Sequence, residues 1–215
     1  MQVQQLIEGS GNSFHARVAR WFKDSGWHVQ VSPYYLDRAQ EKAREIDLIV
    51  EKAFEITDYA GRFEGNVVMR LFVECKFVNG HTVFWFADRD RSAAEALVTA
   101  TQPFRPDNSY TRKHHYLVDA PVAKVFASEQ SRGGEFEWMY KALNQVLNAQ
   151  TSMIGKRVTI PELQRYRAKQ IVLDFPVVVC SSFQKVFQTD FYESSDARSV
   201  TQNFQLEVSY AYADP

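Results

Sequence analysis

The chain has 215 residues, with 25 Lys and Arg against 26 Asp and Glu, for a formal net charge of -1 at pH 7. That balance excludes a uniformly basic polyanion binder, so any contact with nucleic acid has to come from local patches. At 45% hydrophobic residues, with 16 Phe, 10 Tyr and 4 Trp but only 2 Cys, the chain can bury a core without a disulfide framework or a zinc cluster.

The first residues, Met1 to Glu8, lack a basic region followed by an apolar core, and no apolar span approaches membrane-crossing length. A soluble cytoplasmic protein with no membrane contact is expected. Phe14, Val18, Trp21 and Phe22 recur at helical spacing, with Ser13 able to cap and Gly26 able to stop the element. This predicts a first helix packed by one face on a sheet. Trp27 to Tyr35 reads as a strand ending near Pro33, and Asp37 to Arg44 as a polar, mobile or ligand-facing loop.

Two hydrophobic runs come next, Arg44-Glu45-Ile46-Asp47-Leu48-Ile49-Val50 and Leu71-Phe72-Val73-Glu74-Cys75-Lys76-Phe77. They place Asp47, Glu74 and Lys76 in what reads as the middle of a sheet, where a charge is expensive unless paired. In an extended chain Glu74 and Lys76 share one face while Val73, Cys75 and Phe77 take the other. By the same rule Asp47 shares a face with Glu45, Ile49 and Glu51, opposite Ile46, Leu48 and Val50. A hairpin through Asp58 to Asn66, which contains Gly61 and Gly65, lets the two carboxylates meet. Carboxylates that close repel, and a hard divalent cation such as magnesium removes the repulsion. The alternative reading is an ordinary ion pair on a half-exposed edge strand.

An Asp followed at a distance by Glu-x-Lys, in the wording Arg-Glu-Ile-Asp-Leu-Ile and Val-Glu-Cys-Lys, resembles the PD-(D/E)xK phosphodiesterases. This restriction-endonuclease-like superfamily includes nucleases of the Mrr and resolvase type. The resemblance covers roughly residues 9 to 80. It implies an α/β, three-layer restriction-endonuclease-like fold with a mixed central sheet flanked by helices. It also implies magnesium-dependent cleavage of nucleic-acid phosphodiesters, DNA being the favoured substrate and manganese a substitute ion. Asp47, Glu74 and Lys76 match the signature residues, and the backbone carbonyl of Cys75 is a further metal ligand on this reading. Where many members carry an acid in the first helix, Gly11-Asn12-Ser13-Phe14-His15 places a histidine, with Glu8 just upstream. His15, Glu8 and Glu45 are therefore accessory candidates: His15 for a phosphate or a plain helix surface, Glu8 for a ligand or a frayed terminus, Glu45 for the metal or a pair with Arg44.

Farther on, Thr82 to Ala87 reads as a short aromatic strand, and Ser92-Ala93-Ala94-Glu95 as a capping box that opens a helix with Ala94, Leu97 and Val98 inward. Residues 101 to 113, with Pro103 and Pro106, form a loop. Tyr116 to Val118 and Ala123 to Ala127 are strand candidates. Phe136 to Ala149 reads as a helix burying Phe136, Met139, Tyr140, Leu143 and Leu147. Leu173 to Ser181 is a candidate for a fully buried strand, and Phe204 to Tyr212 alternates like a half-exposed one. Cys75 and Cys180 sit in apolar runs and read as small buried hydrophobes.

No low-complexity linker divides the chain. One domain over 1–215 is expected, a nuclease core over about 9–130 with a C-terminal α/β elaboration over about 131–215. Lys156, Arg157, Arg165, Arg167 and Lys169 form one basic stretch and Arg105, Arg112 and Lys113 another. Both are candidate phosphate contacts or solvated faces. A catalytically inactive module that binds nucleic acid or a protein partner is the alternative function, and a homodimer is compatible with either.

Overall fold

The first helix, α1 (Gly11–Asp24), follows from the four-residue repeat of Phe14, Val18 and Phe22, which brings all three onto one buried face. Trp21, expected there too, is 62% exposed. One position along a helix is a turn of about 100° around its axis, which takes Trp21 off the face that Phe22 occupies. Ser13 lies inside the helix, its hydroxyl donating to the Ile7 carbonyl. Gly26 closes the element at φ 78°, a left-handed conformation open to glycine.

The computed structural model describes residues 3, 7, 11–38, 41–78, 80–101, 117–118, 120–129, 138–165, 169–193 and 196–207, with the backbone alone for Leu97, Thr101, Gln164 and Arg165. After α1 come β1 (His28–Val31), β2 (Tyr34–Asp37), β3 (Lys42–Glu45), β4 (Leu48–Thr57), β5 (Phe63–Lys76), β6 (Thr82–Ala87), α2 (Arg91–Thr101), β7 (Val122–Ser128), α3 (Trp138–Met153), α4 (Pro161–Arg165), β8 (Lys169–Cys180), β9 (Val186–Asp190) and β10 (Arg198–Ser199). They are mixed α/β elements arranged in open, mixed sheets. No helix among the described residues is long and apolar enough to cross a membrane.

The chain divides into two units that interleave in sequence, residues 1–79 with 131–182 and residues 80–130 with 183–215. The strands of residues 82–128, expected in the core, thus belong with β9 and β10, while α3 and β8, expected in the elaboration, belong with α1 and β1 to β5.

The first unit holds a sheet of order β1-β4-β5-β8. β4 and β5 form the expected antiparallel hairpin. Its turn is fixed by the Asp58 carboxylate, which accepts the amides of Ala60 and Arg62, both at 2.8 Å. β8 runs parallel to β5. One sheet face is covered by α1, where Phe14, Val18 and Phe22 meet Leu48, Val50 and Val73. The other is covered by α3, where Val146 and Ala149 meet Ile46, Ile49, Phe72 and Tyr35.

Three expectations for this unit change. The loop from Asp37 to Arg44 contains β3, which pairs with β2 as a small antiparallel ribbon. Helix α3 buries Ala142, Val146, Ala149 and Ser152, leaving Met139, Tyr140, Leu143 and Leu147 half-buried, with Phe136 outside the described residues. Small residues let the helix sit close to the sheet, and the larger side chains flank the contact. β8 stands at the sheet edge, with Leu173 43% and Phe175 41% exposed. A largely apolar run does not by itself distinguish a covered strand from an edge strand.

The second unit holds a sheet of order β10-β9-β6-β7. β6 pairs antiparallel with β7 and parallel with β9. Phe84, buried on β6, contacts the rings of Phe126 and Phe204 at 5.5 and 4.9 Å. The cap of α2 is Asp90, whose carboxylate accepts the Ala93 amide at 3.0 Å, where Ser92 was expected; Val98 is the fully buried residue of that helix. Leu117 and Val118 lie outside any strand, and Leu206 makes only an isolated bridge to Ala123. The expected loop past Thr101 and the strand past Glu207 lie outside the described residues.

Candidate active site

Strand β5 alternates as its sequence dictates: Phe72 joins the core under α3, while Val73 and Cys75 pack toward α1. Glu74 is therefore on the α3 side. Asp47 occupies a bend between β3 and β4, one residue before the ladder begins at Leu48 opposite Val73. The bend also moves Ile46 onto the face of Ile49, where an unbroken strand would have put it opposite.

Two contacts fix the bend. The Asp47 carbonyl accepts the Ser32 amide at 2.8 Å and His15 Nε2 at 2.9 Å. A carbonyl can only accept, so the proton of that imidazole is on Nε2. His15 thus holds Asp47 from α1. The Asp47 side chain turns to β5, where Oδ2 accepts the Cys75 amide at 2.7 Å. In an extended strand the N–H and C=O of one residue point to the same edge, so the Cys75 carbonyl faces Asp47 as well. The Lys76 carbonyl faces the other edge and accepts the Ser181 amide at 2.9 Å.

Glu74 is 3% exposed. Its Oε1 lies 2.5 Å from Lys76 Nζ, which also donates to Gln145 Oε1 of α3 at 3.3 Å. Among the described residues its Oε2 is buried without a hydrogen-bond partner. Burial raises the Glu74 pKa, opposed by the Lys76 ammonium and reinforced by the Asp47 carboxylate; the Asp47 amide adds a lowering hydrogen bond. The same burial, with the charges of Asp47 and Glu74 behind it, pushes the Cys75 thiol up to about 12, and Cys180 rises to about 11. Both thiols are half-buried and free.

Among the described residues no group of three or more His, Cys, Asp and Glu side chains gathers as a metal cage. The donors available are two carboxylates and a peptide carbonyl. That set fits magnesium, which keeps several waters and takes one or two carboxylates, and the unpartnered Glu74 Oε2 is the oxygen a cation would satisfy. Asp47, Glu74 and the Cys75 carbonyl are the groups that would hold it.

Other expected site residues lie elsewhere. Glu45 accepts from the Tyr34 hydroxyl across the β2–β3 ribbon, which raises the Tyr34 pKa. Arg44 bridges to buried Asp37 at 2.8 Å. Lys156, Arg157 and Lys169 are exposed. Lys169 pairs with Gly65, at the opposite end of β5 from Glu74; the nine residue steps from Gly65 to Glu74 span about 30 Å. Glu8, Arg167, Arg105, Arg112 and Lys113 lie outside the described residues, as does the Arg165 side chain.

Compared with known proteins, the chain matches no family model, no curated protein and no solved structure.

Two features were not foreseen from sequence. One is Gln145, a polar residue beside Val146 on α3. The other is a buried cluster on the α3 side. Arg70, 1% exposed, makes a two-pronged pair with Asp174 at 2.6 and 3.0 Å and stands 3.9 Å from Glu51. Arg70 also donates to the carbonyls of Lys156 and Met153, and Glu51 accepts the amide and hydroxyl of Thr159 at 2.6 and 2.7 Å. The cluster ties the chain after α3 to the sheet. Its only sequence signal is register, because Glu51 and Asp174 each fall opposite Arg70 in the ladders.

Proposed function

We propose that the first unit is a restriction-endonuclease-like domain that hydrolyses phosphodiester bonds of nucleic acid, DNA in preference, with magnesium held at Asp47 and Glu74. The observation that carries this reading is the buried Glu74 Oε2, without a partner, on the strand that also presents Lys76 and the Asp47-bound Cys75 amide. A buried, half-satisfied carboxylate next to a second carboxylate is costly, and a cation-binding role accounts for it. The mixed sheet with α1 on one face and α3 on the other is the arrangement that the sequence resemblance implies.

Each residue then has a task. Asp47 and Glu74 place negative oxygens at the end of β5, held by the Cys75 amide and by Lys76 respectively. His15 and the Ser32 amide keep the Asp47 bend in place. Lys76 has a third N–H beyond those used on Glu74 and Gln145. That proton can orient a water or offset charge growing on a phosphoryl oxygen. A bound magnesium ion lowers the pKa of a water and polarises the phosphate.

Asp47→Ala and Glu74→Ala are expected to abolish cleavage of supercoiled, linear and branched DNA in magnesium or manganese while the protein stays folded. Chelator should do the same to the wild type. Undiminished cleavage by either variant would sink the assignment.

A second reading draws on the 2.5 Å Lys76–Glu74 pair, which already neutralises one carboxylate. On that reading the domain binds nucleic acid or a protein partner without cutting. DNA retention with no cleavage in either metal would favour it.

A further inference from the structure

Lysine at this site poses a problem that the geometry answers. Its ammonium sits on Glu74 at 2.5 Å, the carboxylate proposed above to take a cation. A cation therefore competes with an internal positive charge. Two positive groups on one carboxylate repel, so the ammonium has to move or lose its bond to Glu74 as the ion arrives. Among the described residues Gln145 Oε1, 3.3 Å from the same nitrogen, is placed to receive it.

The backbone at Gln145 is held in place. The residue precedes Val146, whose side chain is buried against the sheet, and its own carbonyl accepts the Tyr35 hydroxyl at 3.5 Å. Lysine offers only donors, so it is the amide oxygen that turns to it. An amide accepts a hydrogen bond without adding charge. It can keep the ammonium beside the site without drawing the cation to itself as a carboxylate would.

We propose that Gln145 is a positioning residue, the second seat of Lys76, onto which the ammonium shifts when a divalent cation binds Glu74. The inference rests on the metal-site reading above and adds to it the residue that lets a lysine and a cation share one carboxylate.

The test is a double-mutant cycle on Mn2+ binding, measured by titration calorimetry on the full chain, with thermal unfolding to verify that each variant is folded. Gln145→Met keeps the length of the side chain and removes the acceptor. It should weaken Mn2+ binding severalfold, a part of the worth of one hydrogen bond to a charged group, because the 3.3 Å contact already made without the ion tightens only when the ammonium leaves Glu74. In a Lys76→Met background the same change should have no effect, because no ammonium remains to be seated. Gln145→Glu, which retains an oxygen at that place, should not weaken binding. Equal weakening in both backgrounds would mean that Gln145 supports the fold or touches the ion, and would overturn the proposal, as would unchanged binding in Gln145→Met. Wild-type protein that binds no Mn2+ would remove the metal-site reading itself, and this proposal with it.

Discussion

Glu74 carries two opposing demands, a charge fit for chemistry and a site that disfavours charge. Its pKa is raised by burial in the folded chain, so the folded protein holds that proton more tightly than the unfolded chain does. Stability therefore falls as pH rises from the ordinary carboxylate range through the raised value, and the penalty stays above it. Glu74→Gln should equal wild type in acid and exceed it in stability at neutral pH, as read by urea unfolding across pH. A constant difference at every pH would count against the burial argument. For Lys76, replacement by Ala should lower turnover at least tenfold, since the group acts on charge that develops in the transition state. Arg should not restore the rate, because a planar fork cannot take the place of a point charge; single-turnover cleavage reads both. Asp47, Glu74 and Lys76 were legible because a charge inside an apolar run calls for a partner. Gln145 was not, because its partner lies 69 positions away and nothing local marks it.

Among the elements, the bend before β4 decides whether the site exists. It depends on α1 as much as on the sheet, through His15 and the Asp47 carbonyl. His15→Ala should cost about 1 kcal/mol of stability, the worth of a typical hydrogen bond, while lowering cleavage by a larger factor than that loss of fold explains. His15→Gln, which retains an N–H donor, should recover part of the rate. Urea unfolding and cleavage of the same variants separate the two effects. The β4–β5 hairpin could be read in the sequence, since Asp58 and Gly61 mark a turn between alternating runs. The β2–β3 ribbon could not. Tyr35 falls at the end of an expected strand, but Asp37, buried and bonded by Asn148 of α3, opens a segment, Asp37 to Arg44, whose composition is that of a loop. Nor could the edge position of β8, which depends on what lies beside it.

At the scale of the whole molecule, polar groups join segments of the first unit that lie far apart in sequence. Arg70 reaches Asp174 across 104 positions and Lys156 across 86. Arg70→Met leaves buried Glu51 and half-buried Asp174 without their counter-charge and should destabilise the first unit by about 3–5 kcal/mol. Adding Glu51→Gln and Asp174→Asn should recover much of that loss in urea unfolding. If the single variant is as stable as wild type, the cluster is solvated and does not tie the unit together. The division into interleaved units was not legible, since none of its crossings, at 79/80, 130/131 and 182/183, carries a long low-complexity linker, and the Asn79-Gly80 and Gly133-Gly134 pairs read as ordinary turns. Burial patterns report which face is apolar, and they are silent on which sheet a strand joins.

Interleaving also has a consequence for synthesis. The strand β5 waits for β8, and β6 waits for β9, so the first sheet is complete only after residue 180 and the second only after residue 199. Until then two long strands have each paired on one side only, and an open strand edge recruits other chains. Growing chains are thus most exposed to self-association late in translation. A version ending at residue 168 should accumulate in inclusion bodies at a temperature where the full chain remains soluble, and co-expressing residues 169–215 as a separate piece should return part of it to solution. If the shortened chain is soluble and monomeric by size-exclusion chromatography, its sheets close without the late strands.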